Sequence, residues 1–252
     1  MNGDTILRIA GLKKSFGGNH VLRGVDVAFQ EGKVSAIIGQ SGTGKSVLIK
    51  NIIGILEPDS GDIFFRGESM IAADAKRRIE MRRQFGYLFQ DSALFDSLTV
   101  SENIAFPLVE GLGMTDKKRI DEVVAEKLEW IGLPGIEAKF PSELSGGMRK
   151  RVGLARTLAS QPDVLLFDEP TTGLDPVLAE TINDLIVKVN HEFGITCILI
   201  THDIQATFRI SDYIGFLYDG QIQAQGRPRD LSDTDHPVLR QFIANSFSEL
   251  EV

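Results

Sequence analysis

The sequence contains one cysteine, Cys197, so no disulfide can form within the chain. This residue lies in the apolar run 195–200, where a cysteine usually packs as a small core residue. A chain without disulfides fits a reducing compartment. No apolar run approaches the roughly 18 residues that a membrane-spanning helix needs. The N-terminal stretch MNGDTILRIAGL lacks a basic flank followed by a long apolar segment, so no secretory signal is predicted.

Basic residues are scarcer than acidic ones, 27 against 35, and the formal net charge is −8. This balance argues against broad binding to nucleic acid or anionic lipid, and no nucleic-acid partner is expected. The 252 residues, 42% apolar and 25% charged, are ordinary for a globular protein with one large domain or two small ones. If such a protein works at a membrane, a partner must hold it there.

Apolar runs predict β-strands in the first and last thirds of the chain. In VLRGVDVAF, Val25, Val27 and Phe29 alternate with other residues and share one face. The runs VSAIIG, DVLLFDEP and ITCILITHD are nearly continuous, as expected for strands that are covered on both faces. The segment YIGFLYDGQIQAQG predicts a hairpin, because Asp219 and Gly220 can supply the positive φ angles of a type I′ turn.

Helical periodicity dominates the middle of the chain, from about residue 91 to 161. DKKRIDEVVAEKLEWIGL and RVGLARTLA each place their apolar residues on one helical face. The charged residues of the second helix lie largely elsewhere: Arg149, Lys150, Arg151 and Arg156. We therefore predict one α/β domain over residues 1–252 with a helical insertion at about 91–161. An amphipathic helical tail is predicted at about 235–252, with apolar residues Leu239, Phe242, Ile243, Phe247 and Leu250.

The segment GQSGTGKS matches the phosphate-binding pattern G-x-x-x-x-G-K-[ST] completely. It follows a predicted strand and precedes the helix-like run VLIKNIIGIL, which is the context that the motif requires. Its glycines let backbone N–H groups converge on phosphate oxygens, Lys45 reaches the β- and γ-phosphates, and Ser46 offers a hydroxyl to Mg²⁺. The predicted ATP-binding residues of this segment are Gly39, Gln40, Ser41, Gly42, Thr43, Gly44, Lys45, Ser46 and Val47.

Four polar residues follow predicted strands. Asp168 and Glu169 end VLLFDEP, where the first can hold Mg²⁺ through its water shell and the second can polarise an attacking water. His202 ends another apolar strand, and the sheet would deliver it to the edge that carries the phosphate loop. Gln90, in YLFQD, can orient water or ligate metal. Taken alone, a histidine in such a position is more often structural, and a surface role fits Gln90 as well as a functional one.

A second half-site for phosphate is predicted in PSELSGGMRKRVGLAR. Gly146 and Gly147 stand where a basic helix begins, and the free N–H groups of a helix start bind anions. One chain would thus carry two incomplete phosphate cradles about a hundred residues apart.

These motifs together resemble the nucleotide-binding subunit of ATP-binding cassette (ABC) transporters over nearly the whole chain. The resemblance implies a P-loop NTPase fold of the ABC-ATPase type, with a RecA-like α/β core, an antiparallel β-subdomain and a helical subdomain. It identifies residues 39–46 as the Walker A loop, VLLFD as the Walker B strand, LSGGM as the signature motif and GLDP as the D-loop. It implies catalytic roles for Lys45, Gln90, Glu169 and His202, and Mg²⁺ ligation by Ser46, Gln90 and Asp168. It also implies adenine stacking by Phe16 in KKSFGG and a D-loop role for Asp175.

The family would explain the two half-sites, because its subunits pack head to tail around two nucleotides. A homodimer is therefore expected, in which Ser145, Gly146, Gly147 and Met148 face the nucleotide of the other chain. Met148 departs from the usual glutamine of the signature, and a thioether cannot replace the hydrogen bonds of an amide. Since Ser145 and the backbone can bind phosphate, activity is expected to survive this change.

The segment QDSALFDSLTVSENIAFPL, with LSGGMRKRVGLAR, is similar to the ATPase subunit of Mla/Mce-type systems, which move lipids between bacterial envelope membranes. That resemblance implies a peripheral location on the cytoplasmic face of the inner membrane. It implies an MlaE-type integral membrane permease, a periplasmic MCE lipid-binding subunit and a possible small accessory subunit as partners. The alternatives are the ATPase of an amino-acid or ion importer and a soluble ABC protein without a transport role.

Overall fold

The computed structural model describes residues 4–248, with side chains described to residue 246. Their strands are β1 (Thr5–Phe16), β2 (Asn19–Gln30), β3 (Val34–Ile38), β4 (Ser60–Phe65), β5 (Glu68–Ser69), β6 (Phe85–Leu88), β7 (Val164–Asp168), β8 (Thr196–Thr201), β9 (Tyr213–Tyr218) and β10 (Gln221–Gly226). Their α-helices are α1 (Lys45–Ile52), α2 (Ala75–Arg82), α3 (Val100–Phe106), α4 (Lys117–Trp130), α5 (Gly146–Ala159), α6 (Pro176–Phe193), α7 (Ile204–Ile210), α8 (Pro228–Ser232) and α9 (Pro237–Ser248). Within residues 4–248, no helix has the length and apolar content that crossing a bilayer requires.

The described chain divides into two compact units, and α6 runs from one into the other. The first unit comprises residues 4–82 and 189–248, and the second comprises residues 83–188. The predicted helical insertion at about 91–161 falls within the second unit.

The first unit contains two sets of strands. Strands β2, β1, β4 and β5 form an antiparallel sheet in that order. Strands β10, β9, β3 and β8 lie side by side, with β3 parallel to both β8 and β9. All five residues of β3 and all six of β8 are buried, as the continuous apolar runs predicted. The predicted hairpin is confirmed, since Asp219 and Gly220 join β9 to β10 with φ angles of 48° and 72°.

The second unit combines a parallel pair of strands, β6 and β7, with helices α3, α4 and α5. A π-helical turn, Pro107–Gly111, continues α3. The apolar faces of the three helices meet in one core cluster. Its fully buried members include Val124 and Leu128 of α4 and Val152 and Ala155 of α5, as the periodicity predicted. Lys150 departs from that pattern, because only 5% of this charged residue is exposed.

The C-terminal helix packs on the core of the first unit. Leu239 is fully buried against a cluster that contains Ile38, Ile214 and Phe216. Phe242 and Ile243 are partly buried against the same cluster. The side chain of Phe247 and all of Leu250, which the sequence also assigned to this apolar face, lie outside the described residues.

Candidate nucleotide-binding site

The Walker A loop joins β3 to α1 in a backbone path that depends on glycine. Gly44 has a φ of 101°, and a Cβ there would lie 2.9 Å from Cγ1 of Val21. At Gly39 a Cβ would collide with the carbonyl oxygen of Leu217 at the end of β9. Around Gly42, by contrast, no described atom lies within 4 Å of a Cβ position. The loop is therefore packed at both ends and open in its middle, where a phosphate group would approach.

Lys45 is held inside this loop. Its Nζ donates to the carbonyl oxygens of Gly39, at 2.8 Å, and of Gln40, at 3.1 Å. Only 6% of the residue is exposed. Thr43 also donates to Gln40 O, at 2.8 Å, so the side chains of the loop reinforce its curvature. The ammonium group thus lies within the predicted phosphate cradle.

His202 emerges at the same sheet edge as the Walker A loop. In the parallel pairing of β3 and β8, Ile38 lies opposite Thr201, and the next residues are Gly39 and His202. His202 is exposed. Asp203, which follows it, caps α7 by accepting from Ala206 N at 3.0 Å. The sheet therefore brings the histidine and the phosphate loop to one edge, as expected for parallel strands.

Phe16 lies at the end of β1, beside the turn to β2. The residue is 45% exposed, and the Nζ of Lys14 lies 5.5 Å from the centre of its ring. A large exposed aromatic face is what stacking on a nucleotide base requires.

Asp168 ends β7 in a buried position and accepts a hydrogen bond from Tyr87. The Tyr87 hydroxyl donates to Oδ2 of Asp168 at 2.7 Å. Burial raises the pKa of Tyr87, and the bond to the carboxylate raises it further, so the phenol stays protonated and serves as the donor. This bond orients the carboxylate that is predicted to ligate the metal, as hydrogen-bond partners of ligands do at many metal sites.

Glu169 follows Asp168 with a strained backbone. Its φ is 49°, a left-handed conformation that is rare for residues other than glycine, asparagine and aspartate. Thr172 Oγ1 donates to the Glu169 carboxylate at 3.3 Å. Strained residues are concentrated at functional sites, because only a surrounding structure that fixes them can maintain the strain. The predicted general base thus has a side-chain direction that an ordinary strand end would not give it.

Gln90 follows β6 and is hydrogen-bonded to α5, the helix that begins at the signature motif. The Nζ of Lys150 donates to the backbone oxygen of Gln90. Burial lowers the pKa of Lys150, and the carboxylates of Asp91, Asp168 and Glu169 oppose that change. The helical pattern does not predict this contact, since Lys150 lies off the apolar face of α5, where solvent exposure is expected.

The segment after Gln90 is also strained and is held by a second cation of α5. Ser92 and Ala93 have φ angles of 62° and 44°. Arg156 donates to both of their carbonyl oxygens, at 2.7 Å and 2.8 Å. Asn103 then fixes Phe95 by accepting from its backbone N–H and donating to its carbonyl oxygen. The Q-loop is thus attached to the helix that begins at the signature motif.

The signature motif forms the start of α5. Ser145 is the N-cap, and its hydroxyl accepts from Met148 N at 3.3 Å. A Cβ at Gly147 would lie 3.0 Å from Leu178, whereas Gly146 is exposed and a Cβ there would meet only an ordinary contact. Met148 packs on the apolar core of the second unit. The thioether therefore has a packing role here, which a glutamine amide would not fill as well.

Asp175 of the D-loop caps the first turn of α6. Its Oδ1 accepts from the backbone N–H groups of Val177 and Leu178, each at 3.0 Å. The aspartate is exposed. Leu174 of the D-loop lies beside the signature motif, because a Cβ at Gly146 would be 3.8 Å from Leu174 Cδ2.

The predicted residues fall into two groups. Phe16, the Walker A loop and His202 belong to the first unit, and Gln90, Asp168, Glu169, the signature motif and Asp175 belong to the second. Tyr87, Lys150 and Arg156 are the supporting residues that the sequence reasoning missed. The predicted Mg²⁺ ligands, Ser46, Gln90 and Asp168, offer a hydroxyl, an amide and a carboxylate oxygen, which are the hard donors that this ion prefers.

The fold and these motifs define an ATP-binding cassette, and comparison with known proteins supports that class. The family model described as "ABC transporter" matches residues 22–172, more than half of the chain. The chain belongs to the ABC transporter family, as an ATP-binding subunit. This membership confirms the predicted ATPase class and fold.

The chain is similar over most of its length to ATP-binding proteins whose names refer to different transported substrates. It is 43% identical over 239 residues to the "Probable ribonucleotide transport ATP-binding protein mkl" of Mycobacterium leprae, covering 94% of this chain and 68% of that protein. It is 38% identical over 250 residues to the "Methionine import ATP-binding protein MetN" of Ralstonia nicotianae, covering 97% and 71%. It is 37% identical over 227 residues to the "Intermembrane phospholipid transport system ATP-binding protein MlaF" of Escherichia coli, covering 90% and 84%. The chain spans about two thirds of the length of the mycobacterial relatives that it matches.

Solved structures agree on the fold. The cbiO1 protein of Clostridium perfringens, part of the ABC transporter complex cbiONQ, superposes with a TM-score of 0.83 at 32% identity, covering 98% of this chain and 97% of that one. A dimeric ATP-binding cassette in a post-hydrolysis state, bound to ADP and Pi, gives a TM-score of 0.80 at 30% identity, covering 88% and 99%.

Proposed function

We propose that this chain hydrolyses ATP as a homodimer in which each nucleotide lies between the Walker A loop of one subunit and the signature motif of the other. The observation that carries this proposal is the exposed signature. Ser145 and Gly146 begin the 14-residue helix α5, and both are exposed. A helix start with free N–H groups favours phosphate. The similarity to a dimeric cassette bound to ADP and Pi supports a nucleotide-binding dimer.

The residues divide the chemistry among them. Lys45 and the open middle of the Walker A loop bind the phosphates, and Phe16 receives the base. Ser46, Gln90 and Asp168 would hold Mg²⁺, which when bound neutralises charge on the phosphate oxygens. Glu169 orients the attacking water and takes its proton. His202, at the edge that carries the phosphate loop, contacts the γ-phosphate and stabilises the charge that develops there.

A membrane permease completes the complex in this proposal, and it docks next to the Q-loop. Of the apolar residues after Gln90, Ile104 is fully buried, whereas Phe95 is 42% and Phe106 38% exposed. The rings of Phe95 and Phe106 lie 4.6 Å apart and form one apolar surface. Phe95 is also fixed by Asn103, so movement of a partner on this surface reaches the Q-loop through a rigid contact. This surface binds a cytoplasmic helix of the permease, which places the subunit on the cytoplasmic face of the membrane.

The cargo that we propose is a lipid, and phospholipid is the first choice. The similarity to MlaF supports this assignment, as does the segment after Gln90 that resembles Mla/Mce-type ATPases. The partners are then an MlaE-type permease, a periplasmic MCE subunit and a possible small accessory subunit. The second candidate is an amino-acid importer, which the similarity to MetN favours.

The test is to purify the subunit with an MlaE-type permease of the same organism in detergent and to measure ATP hydrolysis with and without added phospholipid or methionine. Stimulation by phospholipid but not by methionine is expected, and the reverse would favour the importer. Phe95→Glu and Phe106→Glu should release the subunit from the permease without unfolding it. Phe140→Glu is the matched control, because Phe140 is also 42% exposed in the second unit. Co-purification of both docking variants at the wild-type level would place the dock elsewhere.

A further inference from the structure

The hairpin that carries Phe16 extends past the strand that supports it. Phe16 pairs with Asn19 across a turn made by Gly17 and Gly18, whose φ angles are 53° and 83°. On the other edge of β1, the last residue that pairs with β4 is Lys13, opposite Ser60. Lys14, Ser15 and Phe16 therefore continue beyond the β4 ladder. Without another acceptor, the N–H of Ser15 on that edge would lack a strand partner.

Asp59, directly before β4, occupies the position that the missing strand residue would have filled. Its backbone N–H donates to Lys13 O at 2.8 Å. Its Oδ2 accepts from Ser15 N at 2.6 Å, and its Oδ1 accepts from Lys14 Nζ at 3.0 Å. The hydrogen bond from Lys14 lowers the pKa of Asp59, so the acceptor is a carboxylate at neutral pH. The Asp59 side chain thus substitutes for the backbone acceptor that Ser15 N–H would have had in a longer β4.

Two further contacts of this hairpin also hold the end of β1 in place. The Nζ of Lys14 that bonds Asp59 also lies over the Phe16 ring, at 5.5 Å. On the β2 side, Ser15 Oγ and His20 Nδ1 lie 2.8 Å apart and form a hydrogen bond. Ser15, next to Phe16, is therefore held from both edges. Because 45% of Phe16 is exposed, packing covers only part of the residue, and the contacts of Ser15 help to fix the backbone that carries it.

We propose that Asp59 is a positioning residue for nucleotide binding, which holds the end of β1 so that Phe16 is preorganised to stack on the adenine base. The inference rests on the proposed role of Phe16. Preorganisation raises affinity by removing the cost of ordering a group at the moment of binding. The effect must therefore be confined to ligands that carry a base.

The experiment measures equilibrium binding of ADP and, by competition, of inorganic pyrophosphate to the full-length chain. The two ligands share the diphosphate and differ in the adenosine. Asp59→Ala should raise the Kd for ADP about three- to tenfold, the range expected for lost hydrogen bonds, and leave the Kd for pyrophosphate unchanged. Asp59→Asn keeps an acceptor for Ser15 N and should give a smaller rise. Asp26→Ala is the matched control, because Asp26 binds Gly11 N at 2.8 Å in the same strand pair, away from the turn.

A double-mutant cycle with Phe16→Ala separates this inference from its premise. Phe16→Ala alone should raise the Kd for ADP about five- to a hundredfold, as expected for a lost stacking partner. In that background Asp59→Ala should add nothing. If Phe16→Ala has no effect, the base-stacking role fails and the inference fails with it. If Phe16→Ala weakens ADP and Asp59→Ala does not, only the inference is overturned. An equal loss of pyrophosphate affinity, or an equal effect of Asp26→Ala, also overturns it.

Discussion

Replacing Arg156 by methionine should release the Q-loop from the signature helix. Ser92 and Ala93 both adopt left-handed conformations, at a cost of about 1–2 kcal/mol each. The two hydrogen bonds from Arg156 oppose this cost, and a bond from a charged donor contributes about 1.5–3 kcal/mol. Most of the lost free energy should come from the bond to Ser92, because Ser92 is 1% exposed and its carbonyl has almost no access to water. Ala93 is exposed, so its carbonyl can bond water instead. We therefore expect the local opening free energy to fall by about 2–3 kcal/mol.

Hydrogen exchange measures this opening directly. The N–H of Ser92 bonds Phe89 O at 2.9 Å, and the N–H of Phe95 bonds Asn103 Oδ1 at 2.8 Å, so both amides report on the segment. A fall of 2–3 kcal/mol corresponds to exchange about 30- to 150-fold faster at these amides. Ala93→Gly in the same chain should restore part of the protection, because glycine tolerates this backbone. Wild-type exchange in Arg156→Met would refute the role assigned to the arginine.

Three further predictions concern the metal ligand, the base and the tail. Tyr87→Phe removes the donor to Asp168 and should raise the Mg²⁺ concentration for half-maximal ATPase activity about tenfold or more, with Tyr213→Phe as a control; an unchanged Mg²⁺ requirement would contradict the role. Glu169→Gln should lower turnover by roughly 10²–10⁴ while ATP still binds, and near-wild-type turnover would remove Glu169 from the role of base. Leu239→Ala should lower the free energy of unfolding by about 2–5 kcal/mol, as a fully buried leucine does; a change no larger than that of the exposed Gln241→Ala would show that the tail does not stabilise the core.

Local patterns made much of the fold predictable. The hairpin at Asp219 and Gly220 follows from the backbone preferences of two residues, and α4 follows from a periodic stripe within 14 residues. The place of His202 followed from one added rule, that parallel strands deliver their carboxyl ends to one edge.

The supporting contacts of the site were beyond the reach of sequence reasoning. Lys150 and Arg156 lie off the apolar face of α5, which predicts solvent exposure, yet their acceptors are backbone carbonyls about 60 residues earlier. Backbone carbonyls occur at every position and leave no trace in composition. The bond from Tyr87 to Asp168 joins residues 81 apart, and a tyrosine within an apolar strand gives no reason to expect that partner. Only the folded chain shows such pairs.

The most direct test of the proposed shared site mixes two inactive variants. Lys45→Ala damages the Walker A loop, and Ser145→Arg blocks the signature, so each homodimer alone should be nearly inactive. In a mixed dimer, one site carries both lesions and the other carries none, and random pairing leaves roughly a quarter of all sites intact. With subunit exchange shown by two affinity tags, ATP hydrolysis should return on mixing. A dimer with Ser145→Arg in only one chain serves as the control that one intact site can work. If that control is active and the mixture of the two variants stays inactive, Lys45 and Ser145 do not act on one nucleotide from opposite chains.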